Sequence, residues 1–141
     1  LNRLGDVLRQ RGNWQDAVAL HRRALEQSNA LFAPNARQTA LSHYFLGLAL
    51  IDAGERAEAE SQLRAALAAY RGLLPPDGAH PFAASAKLAL GRLLASAPGG
   101  RDEGTALLRD AVALRERFLG AGDTRTIEAR QALASVTERK H

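Results

Sequence analysis

The 141-residue sequence contains no cysteine and no methionine, and only 5% of its residues are aromatic. Without cysteine, a disulfide scaffold, a zinc-thiolate site and thiol catalysis are all excluded. Valine and isoleucine together number six and threonine five, so the β-branched residues that favour strands are scarce. Alanine and leucine, at 29 and 23 residues, are abundant and favour helices. The composition therefore predicts an all-α protein.

Long apolar runs are missing as well. The longest, from Tyr44 to Ile51, has eight residues counting its glycine, whereas a membrane-spanning helix needs roughly 18. No signal-peptide pattern opens the chain, so the sequence predicts a cytoplasmic protein that makes no membrane contact. Because the chain begins at Leu1 and lacks methionine, we expect it to be a piece of a longer polypeptide.

The basic residues outnumber the acidic ones by 19 to 15, which gives a formal charge of +4. Arginines such as Arg22, Arg109 and Arg115 recur along the predicted helices and raise the question of a basic stripe for nucleic acid. Acidic neighbours such as Glu26 and Asp110 interrupt that stripe, and no aromatic residues are interleaved with it. Nucleic acid binding is therefore disfavoured, and a solvated helix face is the better interpretation.

An internal repeat is marked by Leu-Gly pairs, which recur at intervals of 42 and 44 residues before a Leu-Ala pair follows after another 43. These pairs are Leu4-Gly5, Leu46-Gly47, Leu90-Gly91 and Leu133-Ala134. Glycine inside a helix costs about 1 kcal/mol relative to alanine, so we expect a neighbouring helix to approach closely there. A second glycine follows each Leu-Gly pair and suits the left-handed backbone that ends a helix. These glycines are Gly12, Gly54 and Gly99.

Amphipathic spacing between the glycines predicts seven helices. They are residues 1–11, 14–32, 36–53, 56–73, 81–97, 101–119 and 124–139. Small residues, Ala17, Ala59 and Gly104, fall early in each second helix, where paired helices would touch. The repeat predicts one array: repeat 1 at 1–35, repeat 2 at 36–79, repeat 3 at 80–122, and a terminal helix or partial fourth repeat at 123–141.

This pattern resembles the tetratricopeptide repeat, which combines a Leu-Gly pair in its first helix, a glycine at the turn and two alanines in its second helix. The period is long for that family and is similar to the kinesin light chain type. Residues 115–127 resemble the LGPDHPDTL ending of that type, with Asp123-Thr124 in place of His-Pro, while His80-Pro81 keeps the dipeptide. Leu1 to Leu4 is similar to its LNNL stretch. HEAT and armadillo arrays have comparable periods, but they do not explain the glycine and alanine positions.

The resemblance implies a right-handed α-solenoid of antiparallel helix pairs that serves as a protein-protein interaction module. In such a solenoid a peptide or partner segment binds in the concave groove lined by the first helix of each repeat. Carried over position by position, the resemblance places ten residues on the groove: Asn2, Asp6, Arg9, Leu41, Tyr44, Leu48, Ile51, Leu88, Arg92 and Gln131. The lysine and asparagine residues of the carboxylate clamp found in some members are missing.

The helix predicted at 36–53 supports part of this groove independently. It is apolar on nearly every face, with Leu46 and Leu50 on one side and Tyr44 and Leu48 on another. A helix of this kind is either buried on all sides or open to a partner. Packing of its second side against neighbouring first helices, or against a flanking repeat, therefore remains the alternative to partner binding.

Residue patterns for catalysis, cofactor binding and metal binding are not found. The four histidines, His21, His43, His80 and His141, lack a metal-binding spacing such as HExxH, and Gly99-Gly100 matches no phosphate-loop motif. His21 lies on an apolar stripe, where we expect it to pack in the core. The sequence therefore predicts a protein that is not an enzyme and that has no catalytic residues, no cofactor and no metal.

Two further functions stay open. Similar repeats in bacteria are often appended to kinases or signal-transduction ATPases, and a composition rich in Ala, Arg and Leu with two lysines is typical of a GC-rich bacterial genome. The chain would then be the regulatory or sensor tail of a larger bacterial signalling protein. The other function is a self-assembling scaffold, in which the end helices 1–11 and 124–139 associate because each lacks a stacking neighbour.

Overall fold

The computed structural model describes residues 7, 10–31, 37–73 and 81–137. All regular structure in these ranges is α-helical, which confirms the all-α class. The helices are α1 (Trp14–Leu31), α2 (Arg37–Asp52), α3 (Arg56–Leu73), α4 (Pro81–Ala95), α5 (Arg101–Leu119) and α6 (Thr124–Thr137). They agree with six of the predicted helices to within a residue or two. The predicted helix at 1–11 lies almost entirely outside the described residues.

The chain divides into two compact units, Leu1–Gly78 and Ala79–His141. In the first unit α2 packs against both α1 and α3. In the second unit α5 packs against both α4 and α6, and α4 also contacts α6. Among the described helices, each unit therefore has a central helix that packs against two neighbours.

The turns between paired helices depend on glycine. Gly12, Gly54 and Gly99 have φ angles of +83°, +83° and +79°. This left-handed region is unfavourable for any residue with a Cβ atom. At the second of these turns the Glu55 amide donates to the Leu50 carbonyl across 2.9 Å, which closes the end of α2. The predicted role of these glycines at helix ends is confirmed.

The glycines inside the helices mark close contacts between helices. A Cβ atom on Gly47 of α2 would lie 2.8 Å from Cγ of Leu63 on α3. A Cβ atom on Gly91 of α4 would lie 2.9 Å from the carbonyl oxygen of Gly104 on α5. Both distances are shorter than van der Waals contact, so the expected close approach is confirmed.

The core of the first unit is built largely from alanine and leucine, with two polar aromatic rings among them. Tyr70 of α3 is fully buried, and His21 of α1 is also fully buried and stacks on Phe45 of α2 with a centroid distance of 5.7 Å. His21 therefore packs in the core, as predicted. The other buried apolar side chains in the described part of this unit are Ala17, Val18, Ala24, Ala40, Leu46, Ala49, Leu50, Ala59, Leu63, Ala66 and Ala69.

In the second unit, α4 ends two residues earlier than the predicted helix at 81–97. Pro98 disfavours the α conformation for the residue before it, and the last turn tightens so that the Ala97 amide donates to the Leu94 carbonyl at 3.0 Å. The Ser96 hydroxyl donates to the Leu93 carbonyl at 2.9 Å. The chain therefore turns sharply here and brings the start of α5 close to the end of α4.

Candidate functional site

The apolar face of α2 is partly open to solvent in the first unit. We call Leu41, Tyr44, Leu48 and Ile51 the α2 face; all four side chains are half-buried. On the opposite side Leu46 and Leu50 are buried, at 1% and 0% exposure. The two sides therefore differ as the sequence pattern indicates, and the α2 face keeps apolar surface that a partner could cover.

Aromatic rings lie beside Tyr44, the central residue of the α2 face. The Tyr44 ring lies 5.3 Å from the Phe45 ring in a tilted arrangement, and Phe45 in turn stacks on His21. Burial raises the pKa of the Tyr70 phenol above its usual value, and the nearby Tyr44 contributes in the same direction. The Tyr44 ring therefore already packs beside one aromatic neighbour and keeps part of its surface exposed.

In the second unit Leu88 has a different environment from Tyr44, although both hold the same position in their repeats. Leu88 is only 4% exposed and belongs to a core cluster. Its partners in that cluster are Leu108, Ala111, Ala129 and Ala132. Small alanines on α6 let that helix approach α4 and cover the leucine. Leu88 therefore has little surface to offer a partner, contrary to its expected place on the groove.

Two other predicted groove residues, Arg92 and Gln131, come together. Both line an open cavity of about 500 Å³ between α4 and α6, which we call the α4–α6 cleft. Its lining residues are Arg92, Ala95, Ser96, Arg101, Gln131, Ala132, Ser135 and Val136. Alanine and valine form its apolar part, while the other side chains are polar or charged. The volume is within the range of small-ligand pockets.

Arg101 is a part of the cleft that the sequence did not reveal. It is the first residue of α5, and its Nη2 atom donates to the Val136 carbonyl on α6 at 2.8 Å. The groove positions were taken from first helices alone, whereas Arg101 opens a second helix. The sequence signal for its position was the Gly99-Gly100 turn directly before it, because this turn brings the chain back to the end of α4.

A buried arginine connects the helices on either side of the cleft. Arg115 of α5 is 6% exposed; its Nη1 atom donates to the Arg125 carbonyl at 2.6 Å and to Oε1 of Glu128 at 3.1 Å. Its Nη2 atom donates to the Ser85 hydroxyl of α4 at 3.2 Å. Arg115 therefore ties α4 to α6 through α5. The sequence interpretation, which counted this residue in a solvated basic stripe, is wrong for it.

The other predicted groove residues, Asn2, Asp6 and Arg9, lie outside the described residues. Among the described residues no group of three or more His, Cys, Asp or Glu side chains is placed to hold a metal ion. None of the helices in the described ranges is long and apolar enough to cross a bilayer.

The sequence matches the model of a known protein family. The tetratricopeptide repeat model matches residues 1–72, more than half of the 141-residue chain. The chain belongs to the tetratricopeptide repeat family. Arrays of such repeats form extended surfaces that bind proteins or peptides, and they are generally non-catalytic scaffolds. No curated protein matches the sequence.

Two solved structures share the fold of this tetratricopeptide repeat chain. One is a kinesin light chain-like protein of Podosopora anserina with nearly identical TPR-like repeats, with a TM-score of 0.86 and 22% identity. The match covers 97% of this chain, and this chain spans 64% of the length of the Podosopora anserina chain. A glutamine-to-methionine variant of the Podosopora anserina protein gives a TM-score of 0.59 at 18% identity, and the match covers 97% of this chain and 83% of the variant. The predicted likeness to the kinesin light chain type is confirmed for the fold.

Proposed function

We propose that this chain captures a peptide or partner segment in the concave groove of its tetratricopeptide array, along the first helix of each repeat. The observation that carries the proposal is the α4–α6 cleft, in which Arg92 and Gln131 line one cavity. Both were assigned to the groove from repeat position alone. A binding surface needs open space at those positions, whereas a helix face with a purely structural role does not need it.

The α2 face supports the same proposal from the first unit. Tyr44, Leu48 and Ile51 keep apolar surface on a helix whose opposite side is fully buried. An aromatic ring beside two aliphatic side chains is a common anchor for an apolar residue of a bound peptide. The α2 face would then supply apolar contacts to a bound segment.

The proposal can be tested with a defined set of ligands. A phage-displayed library of random peptides is selected on the immobilised chain, and the affinities of the recovered peptides are measured by fluorescence anisotropy. We expect Tyr44→Ala combined with Leu48→Ala to weaken binding about tenfold or more, because two apolar anchors are lost. Circular dichroism should show unchanged helicity, since neither side chain is fully buried.

The matched control removes two half-buried leucines from second helices, with Leu25→Ala on α1 and Leu67→Ala on α3. This variant loses similar apolar volume but leaves the proposed groove intact, so its affinity for the peptides should stay near that of the wild type. Peptides that bind the α2-face variant and the wild type equally well would contradict the proposal, as would a selection that enriches none.

A second candidate function, self-association, is favoured by one residue of α6. Ile127 is 43% exposed, whereas the residues at the same repeat position, Ala40 and Ala84, are 0% and 2% exposed. We propose that α6 contacts a second copy through this isoleucine. Light scattering over a concentration series should show a dimer that Ile127→Arg abolishes, and a monomer at every concentration would contradict it. The regulatory-tail hypothesis and the cytoplasmic location both stay predictions.

A further inference from the structure

The α4–α6 cleft differs in charge from the corresponding part of repeat 2. Counted from the Leu-Gly pairs, Leu48 and Asp52 of repeat 2 correspond to Arg92 and Ser96 of repeat 3. Counted from the small residues of the second helices, Glu55 and Arg56 correspond to Gly100 and Arg101. Repeat 3 therefore loses two carboxylates and gains an arginine at this end, while the arginine that opens the second helix is kept.

The lining of the cleft carries positive charge. Its eight residues, all within the described part of the chain, include two arginines and no carboxylate. The one acidic residue added nearby in repeat 3, Asp102, lines a neighbouring cavity and not this one. An anionic group in the cleft would therefore meet positive charge from both α4 and α5, and none of the described lining residues carries a carboxylate.

The donors around the cleft also suit a group with several acceptor oxygens. Arg92 and Arg101 present planar guanidinium groups from two helices, and guanidinium pairs with phosphate through parallel hydrogen bonds. The bond from Arg101 to the Val136 carbonyl fixes this side chain against α6. Gln131 and Ser135 add an amide and a hydroxyl on the same wall. Two hydrogen bonds from each guanidinium group and one each from the amide and the hydroxyl would exceed the roughly four that one carboxylate can accept.

We propose that the α4–α6 cleft is a binding site for a phosphate group carried on a side chain of the bound segment. The inference rests on the proposed function, because Arg92 and Gln131 belong to the groove proposed above. A cavity of about 500 Å³ is larger than a phosphate group, so it has room for the adjoining peptide. Two arginines match a phosphate that carries nearly two negative charges near neutral pH.

The test uses the 141-residue chain labelled with ¹⁵N and four probes: inorganic phosphate and three blocked hexapeptides of alanine with one central phosphoserine, serine or glutamate. We expect the phosphoserine peptide to shift the amide resonances of residues 92–101 and 131–136 saturably. Inorganic phosphate should shift the same amides more weakly, because it makes no peptide contacts. The serine peptide should shift none of them.

Arg92→Gln should weaken phosphoserine-peptide binding about tenfold, as expected when a charge-assisted hydrogen bond is lost. Arg92→Lys should recover only part of it, because lysine keeps the charge but not the planar fork. The matched control is Arg23→Gln on α1, an exposed arginine whose loss changes the net charge equally. Its affinity should remain that of the wild type.

The phosphate site would be overturned if the glutamate peptide bound as tightly as the phosphoserine peptide, or if Arg92→Gln and Arg23→Gln had equal effects. Saturable binding of inorganic phosphate without tighter binding of the phosphoserine peptide would overturn the claim that the phosphate is carried on a peptide. Library peptides that depend on Tyr44 and Leu48 would leave the proposed function standing in each case, so the two proposals can fail separately.

Discussion

Arg22 of α1 forms an ion pair with Glu58 of α3, with 2.7 Å between Nη2 of the arginine and Oε1 of the glutamate. Both helices pack on α2, so the pair links the two neighbours of the central helix. The hydrogen bond from Arg22 lowers the pKa of the Glu58 carboxyl below its usual value. Since both side chains remain exposed to about a third or more, solvent screens the interaction.

We predict a small, pH-dependent contribution from this pair. A double-mutant cycle of Arg22→Ala and Glu58→Ala, measured by urea unfolding, should give a coupling energy of about 0.2–1 kcal/mol at neutral pH. A carboxyl whose folded pKa is depressed stabilises the fold above its unfolded pKa of about 4.3. The coupling should therefore disappear as pH falls through the folded value. A coupling that persists in acid would show that the two side chains interact through packing.

The two interhelical glycines should respond differently to alanine. At Gly47 the new methyl group would meet the Leu63 side chain, which has rotatable bonds, whereas at Gly91 it would meet the Gly104 carbonyl of the backbone. Alanine gains about 1 kcal/mol of helix propensity at either site. We expect this gain to offset most of the overpacking in Gly47→Ala, while Gly91→Ala lowers the free energy of unfolding by about 1–3 kcal/mol.

Chemical denaturation measures the free energies of unfolding of the two glycine variants, which can then be compared. Equal losses of stability would indicate that the Gly91–Gly104 backbones can separate as easily as Leu63 can rotate. Gly122 provides the control, because a Cβ atom there would meet nothing within 4 Å, so Gly122→Ala should leave packing unchanged.

Removing the buried arginine should weaken the second unit. Arg115→Ala leaves the Arg125 carbonyl and the Ser85 hydroxyl without their guanidinium partner, and we expect a loss of about 1–3 kcal/mol in the free energy of unfolding. Arg109→Ala on the same helix removes an exposed arginine and should change stability by less than about 0.5 kcal/mol. Similar effects of the two variants, measured by thermal unfolding, would contradict a connecting role for Arg115.

Two buried threonines offer a prediction of the opposite sign. Thr39 and Thr126 hold the same repeat position, are fully buried, and have hydroxyl groups without a hydrogen-bond partner. Repeat 3 has Ala83 at this position, also buried. Valine has nearly the same shape without the hydroxyl, so Thr126→Val should raise the free energy of unfolding by about 1 kcal/mol.

Thr39→Val should raise the free energy of unfolding in the same way in the first unit. It therefore checks independently that a buried hydroxyl group without a partner is the cause. A decrease in stability for both variants would indicate that these hydroxyls have partners in solution, such as a buried water.

Repeat position predicted the helices and their glycine contacts well, because both depend on the chain's own periodicity. Exposure was harder to predict. Tyr44 and Leu88 hold equivalent positions, yet Leu88 is buried because Ala129 and Ala132 let α6 approach it. Arg115 is buried because Glu128 and Ser85 surround its guanidinium. These outcomes depend on side chains from other helices, which a single-helix pattern does not contain.

The close contact of Gly91 with Gly104 limits how the repeats of this chain can be recombined. At the counterpart in repeat 2, a Cβ atom on Gly47 would lie 3.5 Å from the carbonyl oxygen of Ala59, compared with 2.9 Å from Gly91 to the Gly104 oxygen, so the two backbones approach less closely there. A chimaera that joins the first helix of repeat 3 to the second helix of repeat 2 would place the Ala59 methyl group where the Gly104 site has no room. In repeats 2 and 3 the first helix is therefore matched in size to its own second helix, and these two repeats would have to be exchanged as intact pairs.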